Sequence, residues 1–394
     1  MSDHAPEAGA FRHDPKKQVL DYESRMTLSQ HFDWEESPQI VGYQRLTYRN
    51  RRQDRTLNVP VSATPAVLDN GVVVASDDGY VRCWDRTLTN VQWEIRLLAS
   101  IYASPIVDHA SRRVLIIATD GTVVSIGTDG ALIWSVNIDA EVRATPTFLA
   151  NTRRIVVPTF GSQVLILDAD DGAIQTRTDV PKPWHSSVGG LGARRDVYAS
   201  PVSLDDAVVI VCAEHVLCLE PDGGVRWARN LGSSLKASPA WDARAGLVIA
   251  AGMNGSIWWL DSDDGADVGQ IKMPAQIRTS PSVFDGAVRI GCASGEVWSI
   301  ENRTRNIQWV SPLGAPRDYT SSTILPDGGY LATAESGNMI ALRGSDGSFL
   351  WESTQVIGLA EHNPAMNITP VVSPDGWAYC ASYDGDLYSF KFRD

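Results

Sequence analysis

A short tract recurs along the whole chain and limits what it can become. It reads "SATPAV" at 62, "YASPIV" at 102, "RATPTF" at 143, "YASPVS" at 198, "KASPAW" at 236, "RTSPSV" at 278, "YTSSTI" at 319 and "NITPVV" at 367. Successive prolines stand 40, 41, 55, 38 and 42 residues apart; Ser322, in the place of a proline, follows after 41 and Pro370 after a further 48. A period of this length is the mark of a repeat architecture, in which each unit buries its faces only against its neighbours.

Within a unit the apolar residues alternate with polar ones, the period of strands and not of helices. One unit, "SPIVDHASRRVLIIATDGTVVSIGTDGALIWSVNI", holds three apolar runs split by turn residues and then a fourth run carrying Trp134. Asp78-Gly79, Asp120-Gly121, Asn254-Gly255 and Asp384-Gly385 fall where tight hairpins need positive φ. Trp93, Trp134, Trp227, Trp309 and Trp351 mark the fourth strand, and the third and fifth repeats lack this tryptophan. Four antiparallel strands every forty or so residues describe the blades of a β-propeller. The last repeat, "TPVVSPDGWAYCASYDGDLYSFKFRD", supplies three strands and stops. The missing strand is expected near the N-terminus in "QIVGYQRLTYRN", residues 39–50, with Tyr43 in the tryptophan position. The expected fold is therefore all-β: an eight-bladed β-propeller of four-stranded antiparallel blades, the last closed by an N-terminal strand. Residues 1–37 are expected to form a partly ordered arm and residues 38–394 a single domain.

The [ST]P strand starts, third strands such as "DGTVVSI" and "DGDLYSF", and the following "DGALIWS" and "DGSFLWE" resemble the PQQ-like (quinoprotein-type) repeat family over roughly residues 40–394. The resemblance implies the propeller fold and places each [ST]P strand innermost, against the central channel. It leaves function open, since the family spans redox enzymes, membrane-protein assembly scaffolds and sensor domains. Its dehydrogenases hold a quinone beside calcium, many with a vicinal cysteine pair. Here Cys83, Cys212, Cys218, Cys292 and Cys380 are never adjacent, and no CxxCH haem motif occurs. No cofactor and no metal are expected. "DADDG" at 168 and "DSDDG" at 261 lack the spacing of a calcium loop and read as hairpin turns.

The net charge of −13 argues against nucleic acid or an anionic membrane as partner. No long apolar run is present, and single cysteines in strand-like surroundings suit a reducing compartment, so a cytoplasmic location is expected.

By the implied topology, the connectors from each fourth strand to the next inner strand lie on one face, and the length excess falls on them. "PKPWHSSVGGLGARRDVYASP" at 181, "GLAEHNPAMN" at 358 and "RRQDRTLNVPV" at 51 are the long ones. The first two are expected to roof the channel mouth. Two positions before the Ser or Thr of each strand start stand Ser62, Tyr102, Arg143, Tyr198, Lys236, Arg278 and Tyr319 in the first seven repeats. Equivalent positions in a propeller surround the axis, so three cations and three tyrosines are expected around one opening. Converging cations need something negative between them. That is either an anionic small molecule or peptide end, with Trp184 and Arg195 of the long loop as further contacts, or Glu141, Asp196, Asp318 and Glu361 of the same connectors. If the protein is an enzyme, a cofactor-independent lyase, isomerase or cyclase fits, with His185, His362 and Glu361 as acid–base candidates. The alternative is a protein-interaction scaffold using the same face, with Trp184, Tyr198 and Tyr319 as anchors and no catalysis.

Overall fold

The computed structural model describes residues 32–50, 54–160, 163–180, 199–313, 321–333, 337–353 and 366–394. They form eight four-stranded antiparallel sheets and one two-stranded sheet, with no helix among the described residues. Blade 1 runs Ala66–Leu68, Gly71–Ala75, Tyr80–Asp85 and Val91–Arg96, from the inner strand to the outer. Blades 2 to 7 repeat this order over 106–137, 147–179, 202–230, 240–272, 282–312 and 323–352. Blade 8 takes three strands from 371–391 and its outer strand from Gln39–Arg45. Inner and middle strands are buried on both faces, as in Gly71–Ala75, because each blade is sandwiched between two others. The outer strands, such as Val91–Arg96, alternate exposed and half-buried residues.

The Ser or Thr of each strand start has a structural reason. The Thr64 amide donates to Ser104 Oγ of the next blade (3.0 Å), and the Ser104 amide to Thr145 Oγ1 (2.9 Å). Ser200 donates likewise to Ser238, Ser238 to Ser280, Ser280 to Ser321 and Ser321 to Thr369, at 2.9 to 3.2 Å. The hydroxyls satisfy buried inner-strand amides from blade to blade, where no water could. The proline that follows holds its predecessor extended.

The fourth-strand tryptophans join blades at the opposite face. Trp93, Trp134, Trp227 and Trp309 donate Nε1–H to Thr128, Ala169, Ser262 and Gly344, each in the third-to-fourth-strand turn of the next blade, at 2.9 to 3.1 Å. The turn glycine lies under the ring. A Cβ on Gly130, itself at φ +86°, would come within 2.7 Å of Trp93 Cγ. Blade 3 replaces the staple by Thr178 Oγ1–H to the Gly223 carbonyl (2.8 Å).

The shared blade differs in two details from the sequence reading. Gly42, opposite Ser389, fills the tryptophan register, while Tyr43 stands opposite Tyr388. A Cβ at position 42 would sit 2.0 Å from the Thr87 carbonyl oxygen, so blade 1 comes too close here for any side chain. The closing strand also ends at Arg45. Thr47–Asn50 turns away and pairs with Arg55–Asn58 as a separate hairpin. Closure is locked by Asp386, which accepts from Tyr43 Oη (2.7 Å) and from Arg45 Nε (2.6 Å) and Nη2 (3.1 Å). Residues 32–38 extend the seal. Trp34 is buried against Phe392 (ring centroids 4.6 Å), and its carbonyl accepts Trp351 Nε1–H (3.3 Å), in place of the turn that blade 8 lacks.

Burial raises several acids of this core. It pushes the Cys83 and Cys218 thiols up to about 12, and it pushes Tyr330 up to about 12 as well. A raised pKa means the unfolded chain releases these protons first. Their contribution is complete below the unfolded values, near pH 9 for the thiols and pH 10 for the tyrosine, and is lost as pH rises toward the folded values. Stability should fall between pH 9 and 12, by about 1.4 kcal/mol per pH unit for each group that titrates only when unfolded. Urea midpoints across that range check this. A Cys83→Ala/Cys218→Ala variant should show a shallower decline, and an unchanged slope would refute the assignment.

Candidate functional site

The regular connectors from an outer strand to the next inner strand follow one design. Leu97, Ile138, Met273 and Leu313 each donate an amide hydrogen bond to Gly79, Gly121, Gly255 and Gly295, the glycines of the second-to-third-strand turns, at 2.7 to 3.0 Å. The chain then runs to the hydroxyl residue of the next inner strand. Tyr102, Arg143, Lys236 and Arg278 sit two residues ahead of that hydroxyl, on one face of the disc, and all four are half-buried. Asn367 holds the eighth position and accepts the Tyr383 amide with its Oδ1 (2.8 Å).

Arg143 illustrates the electrostatics. Its Nε donates to Glu141 Oε1 (2.7 Å), and its guanidinium lies 4.8 Å from the Phe160 ring centroid and 6.0 Å from that of Tyr102. Tyr102 and Arg143 border a cleft of about 450 Å³ that is also lined by Asp120, Asp139 and Glu141. Three carboxylates against one guanidinium give this cleft the wrong sign for an anion. The internal neutralisation weighed from the sequence thus operates at Arg143, and an anionic small molecule finds no support there.

The other named residues lie outside the described residues: Trp184, His185, Arg195 and Tyr198 in the first long connector, Tyr319 in the seventh repeat, and Glu361 and His362 in the second long connector. Among the described residues no group of three or more His, Cys, Asp or Glu could hold a metal ion. The feature that the sequence reading missed is the hairpin at 47–58. Its only sign was a long connector without glycine.

A family model described as outer membrane protein assembly factor BamB matches residues 19–220 and, again, 212–393. The two matches together span nearly all of the propeller. The chain belongs to this family of PQQ-like repeat proteins. Among curated relatives, the outer membrane protein assembly factor BamB of Yersinia pestis is 24% identical over 57% of this chain, and that of Burkholderia pseudomallei is 26% identical over 54%. The chain spans about half the length of these relatives, 55% and 56% respectively. The crystal structure of BamB from Moraxella catarrhalis superposes with a TM-score of 0.68 at 18% identity, covering 90% of this chain and all of that one. At that identity the superposition speaks for the fold alone.

The PQQ-like matches correct the expected location. Four curated relatives carry the name outer membrane protein assembly factor, which overturns the cytoplasmic reading and withdraws the exclusion of a membrane setting. The cysteine argument failed for a physical reason. All five thiols are buried and none forms a disulfide, so the absence of disulfides follows from packing and carries no information on redox compartment. No helix among the described residues is long and apolar enough to cross a membrane.

Proposed function

We propose that this chain is a protein-interaction scaffold of outer membrane protein assembly, gripping a partner protein with the connector face of the propeller. The observation that carries the reading is the match of the BamB family model along both halves of the chain. The site chemistry agrees with it: the connector face offers a half-buried mixture of tyrosine, arginine and carboxylate, the composition of a protein interface rather than of an enclosed pocket. In this reading Tyr102, Arg143, Lys236 and Arg278 form part of the contact surface, and Trp184, Arg195, Tyr198 and Tyr319 supply anchors from the connectors around them. His185, Glu361 and His362 have no catalytic task.

The test is affinity capture of the tagged full chain, with a Tyr102→Ala/Arg143→Ala/Arg278→Ala variant beside it. The wild-type chain should retain a stoichiometric protein partner, and the variant should lose it by about a hundredfold or more, as anchor residues of this kind cost about 2 kcal/mol or more each. The melting temperature should hardly change. A small molecule released from the purified protein, with partner capture unaffected by the variant, would return the ligand reading.

A further inference from the structure

Each blade ends in an outer strand whose far side meets no further strand among the described residues. Proteins commonly blunt such edges with charge or proline. Seven of the eight outer strands follow that rule. Val91–Arg96, Ile174–Asp179, Val225–Asn230, Asp267–Lys272, Phe349–Glu352 and the closing strand Gln39–Arg45 each carry a charged residue, and Ile307–Pro312 ends in a proline. Leu132–Asn137 of blade 2, "LIWSVN", has neither. The bulge at its start, at Ile133, recurs in the outer strands of other blades and does not set it apart. Leu132 and Ile133 are 64% and 44% exposed, so this edge is apolar as well as uncharged.

The edge runs into the cleft beside Tyr102 and Arg143. Asn137 ties the two together: its Oδ1 accepts the Asp139 amide (2.8 Å), and its Nδ2 donates to the Asp120 carbonyl (3.2 Å). Asp120, Asp139, Glu141 and Arg143 give the lining of the cleft a formal charge of −2. Glu141 is taken up by Arg143 (2.7 Å), so Asp120 and Asp139 carry that charge into the open cleft. A second copy of the chain fits this surface poorly, since its own edge brings no cation and two bodies of net charge −13 repel.

We propose that the outer edge of blade 2 takes an extended segment of a partner protein as an added strand, with a lysine or arginine at the segment's N-terminal end held in the Asp120/Asp139 cleft. The polarity follows from the sheet. Leu132–Asn137 runs toward the cleft, so a strand added antiparallel, as all strands of this blade pair, begins there. Main-chain hydrogen bonds along the edge supply affinity, and the two carboxylates select the cation. The inference rests on the scaffold reading and gives its partner a chemistry: extended, apolar and basic at one end.

The experiment uses the full chain and a fluorescent peptide of two lysines followed by three valine–threonine pairs. Its comparisons are the same peptide N-methylated at alternate residues, one with the lysines moved to the C-terminus, and one with glycine–serine pairs in place of the strand. The protein variants are Ile133→Lys/Ser135→Lys, which gives the edge the charge it lacks, and Asp120→Asn/Asp139→Asn. The second suits the backbone: Asn254-Gly255 already stands where Asp120-Gly121 does in its own blade, and Asp139 is at φ +54°, which asparagine tolerates. Anisotropy should show binding of the first peptide, weakened roughly tenfold or more by either variant, by N-methylation and by moving the lysines, with the glycine–serine peptide inert. Unchanged melting temperatures certify the variants, and the peptide comparisons need no variant at all. No binding of the first peptide overturns the proposal outright. Equal binding of the N-methylated peptide overturns strand addition, and equal binding of the glycine–serine peptide reduces the contact to attraction between net charges and overturns it as well. Equal affinity with the lysines moved overturns the antiparallel register, and unchanged affinity in Asp120→Asn/Asp139→Asn overturns the cleft as the lysine's seat. Sedimentation that changes with Ile133→Lys/Ser135→Lys, in the absence of peptide, makes a second copy the occupant and overturns the proposal too. Peptide binding should persist in a Lys236→Ala/Arg278→Ala variant, since neither residue lines the cleft, whatever becomes of partner capture by the connector face. Its loss there overturns the assignment to blade 2.

Discussion

A chain lacking residues 1–45 should fail to form a stable closed monomer. Gln39–Arg45 contributes a full outer strand, with Asp386 accepting three hydrogen bonds from Tyr43 and Arg45. Trp34 fills the gap in the last blade, and Trp351 donates to its carbonyl. Removing the segment opens an edge along Asp386–Lys391 and exposes Phe392, Trp351 and Tyr388, all now buried. The loss is of the same order as the whole stability of an ordinary domain, about 5–15 kcal/mol. Open strand edges of this kind also associate. Light scattering and urea unfolding of the truncated chain check this, and a synthetic peptide of residues 32–45 added in trans should restore a monomeric, cooperatively unfolding species. Two point variants measure the closure if the truncation is insoluble. Trp34→Ala should cost about 3–5 kcal/mol, the range for a buried tryptophan. Asp386→Ala should cost about 1–3 kcal/mol: the buried acid loses three charge-assisted hydrogen bonds, while Arg45, 44% exposed, can return to water. A truncated chain as stable as the full one would mean that the ring is held without its N-terminal strand.

The second large effect concerns Arg289, a cation in the second strand of blade 6, where the corresponding residues of blades 1 to 5 are aliphatic. Its guanidinium donates to the carbonyls of Gly328 and, at 2.9 Å, Gly344, tying two turns of blade 7 to blade 6. Phe284 and Trp309 flank it, with ring centroids 5.7 and 5.9 Å from Cζ. Burial pushes the guanidinium down to about 10, although nearby Asp327 and Asp285 favour its charge. Truncation to alanine removes the donors and most of the volume together, and should cost about 3–5 kcal/mol. Arg289→Met keeps the volume and sheds the desolvated charge, so its cost should be less than half of that. Urea midpoints at constant m-value decide between the two. Equal losses would show that the carbonyl contacts, not the filled space, hold these blades together.

The repeat arithmetic made the architecture legible before any coordinates, because a forty-residue period of alternating strands has few ways to bury its faces. Even the glycine and tryptophan positions had a readable spacing. What they meant was not readable. The tryptophan of one blade docks on the turn glycine of the next, as Trp93 does on Gly130, and that contact joins residues 37 apart in the sequence. The same limit explains the misplaced Tyr43. A bulge at Val41 moves Gly42 into the tryptophan register, and only the proximity of Thr87 explains why nothing larger stands there.

The connector ring shows the limit for function. The spacing of Tyr102, Arg143, Lys236 and Arg278 ahead of the inner strands placed them on one face. Their charge balance was not in the spacing. Glu141 lies two residues from Arg143 and pairs with it, whereas Asp120 reaches the same cleft from a hairpin turn of the neighbouring strands. A sequence orders residues along a line, and a net field at a point depends on distances in space.

Local chemistry alone therefore decided the strands, their turns and the number of blades, since hydrophobic period and turn geometry are properties of short segments. Tertiary structure alone decided how the ring is sealed, that Arg143 is already neutralised, and that Thr47–Asn50 leaves the closing strand to pair with Arg55–Asn58. Each of these depends on which backbone group or carboxylate a distant part of the chain brings within hydrogen-bonding reach.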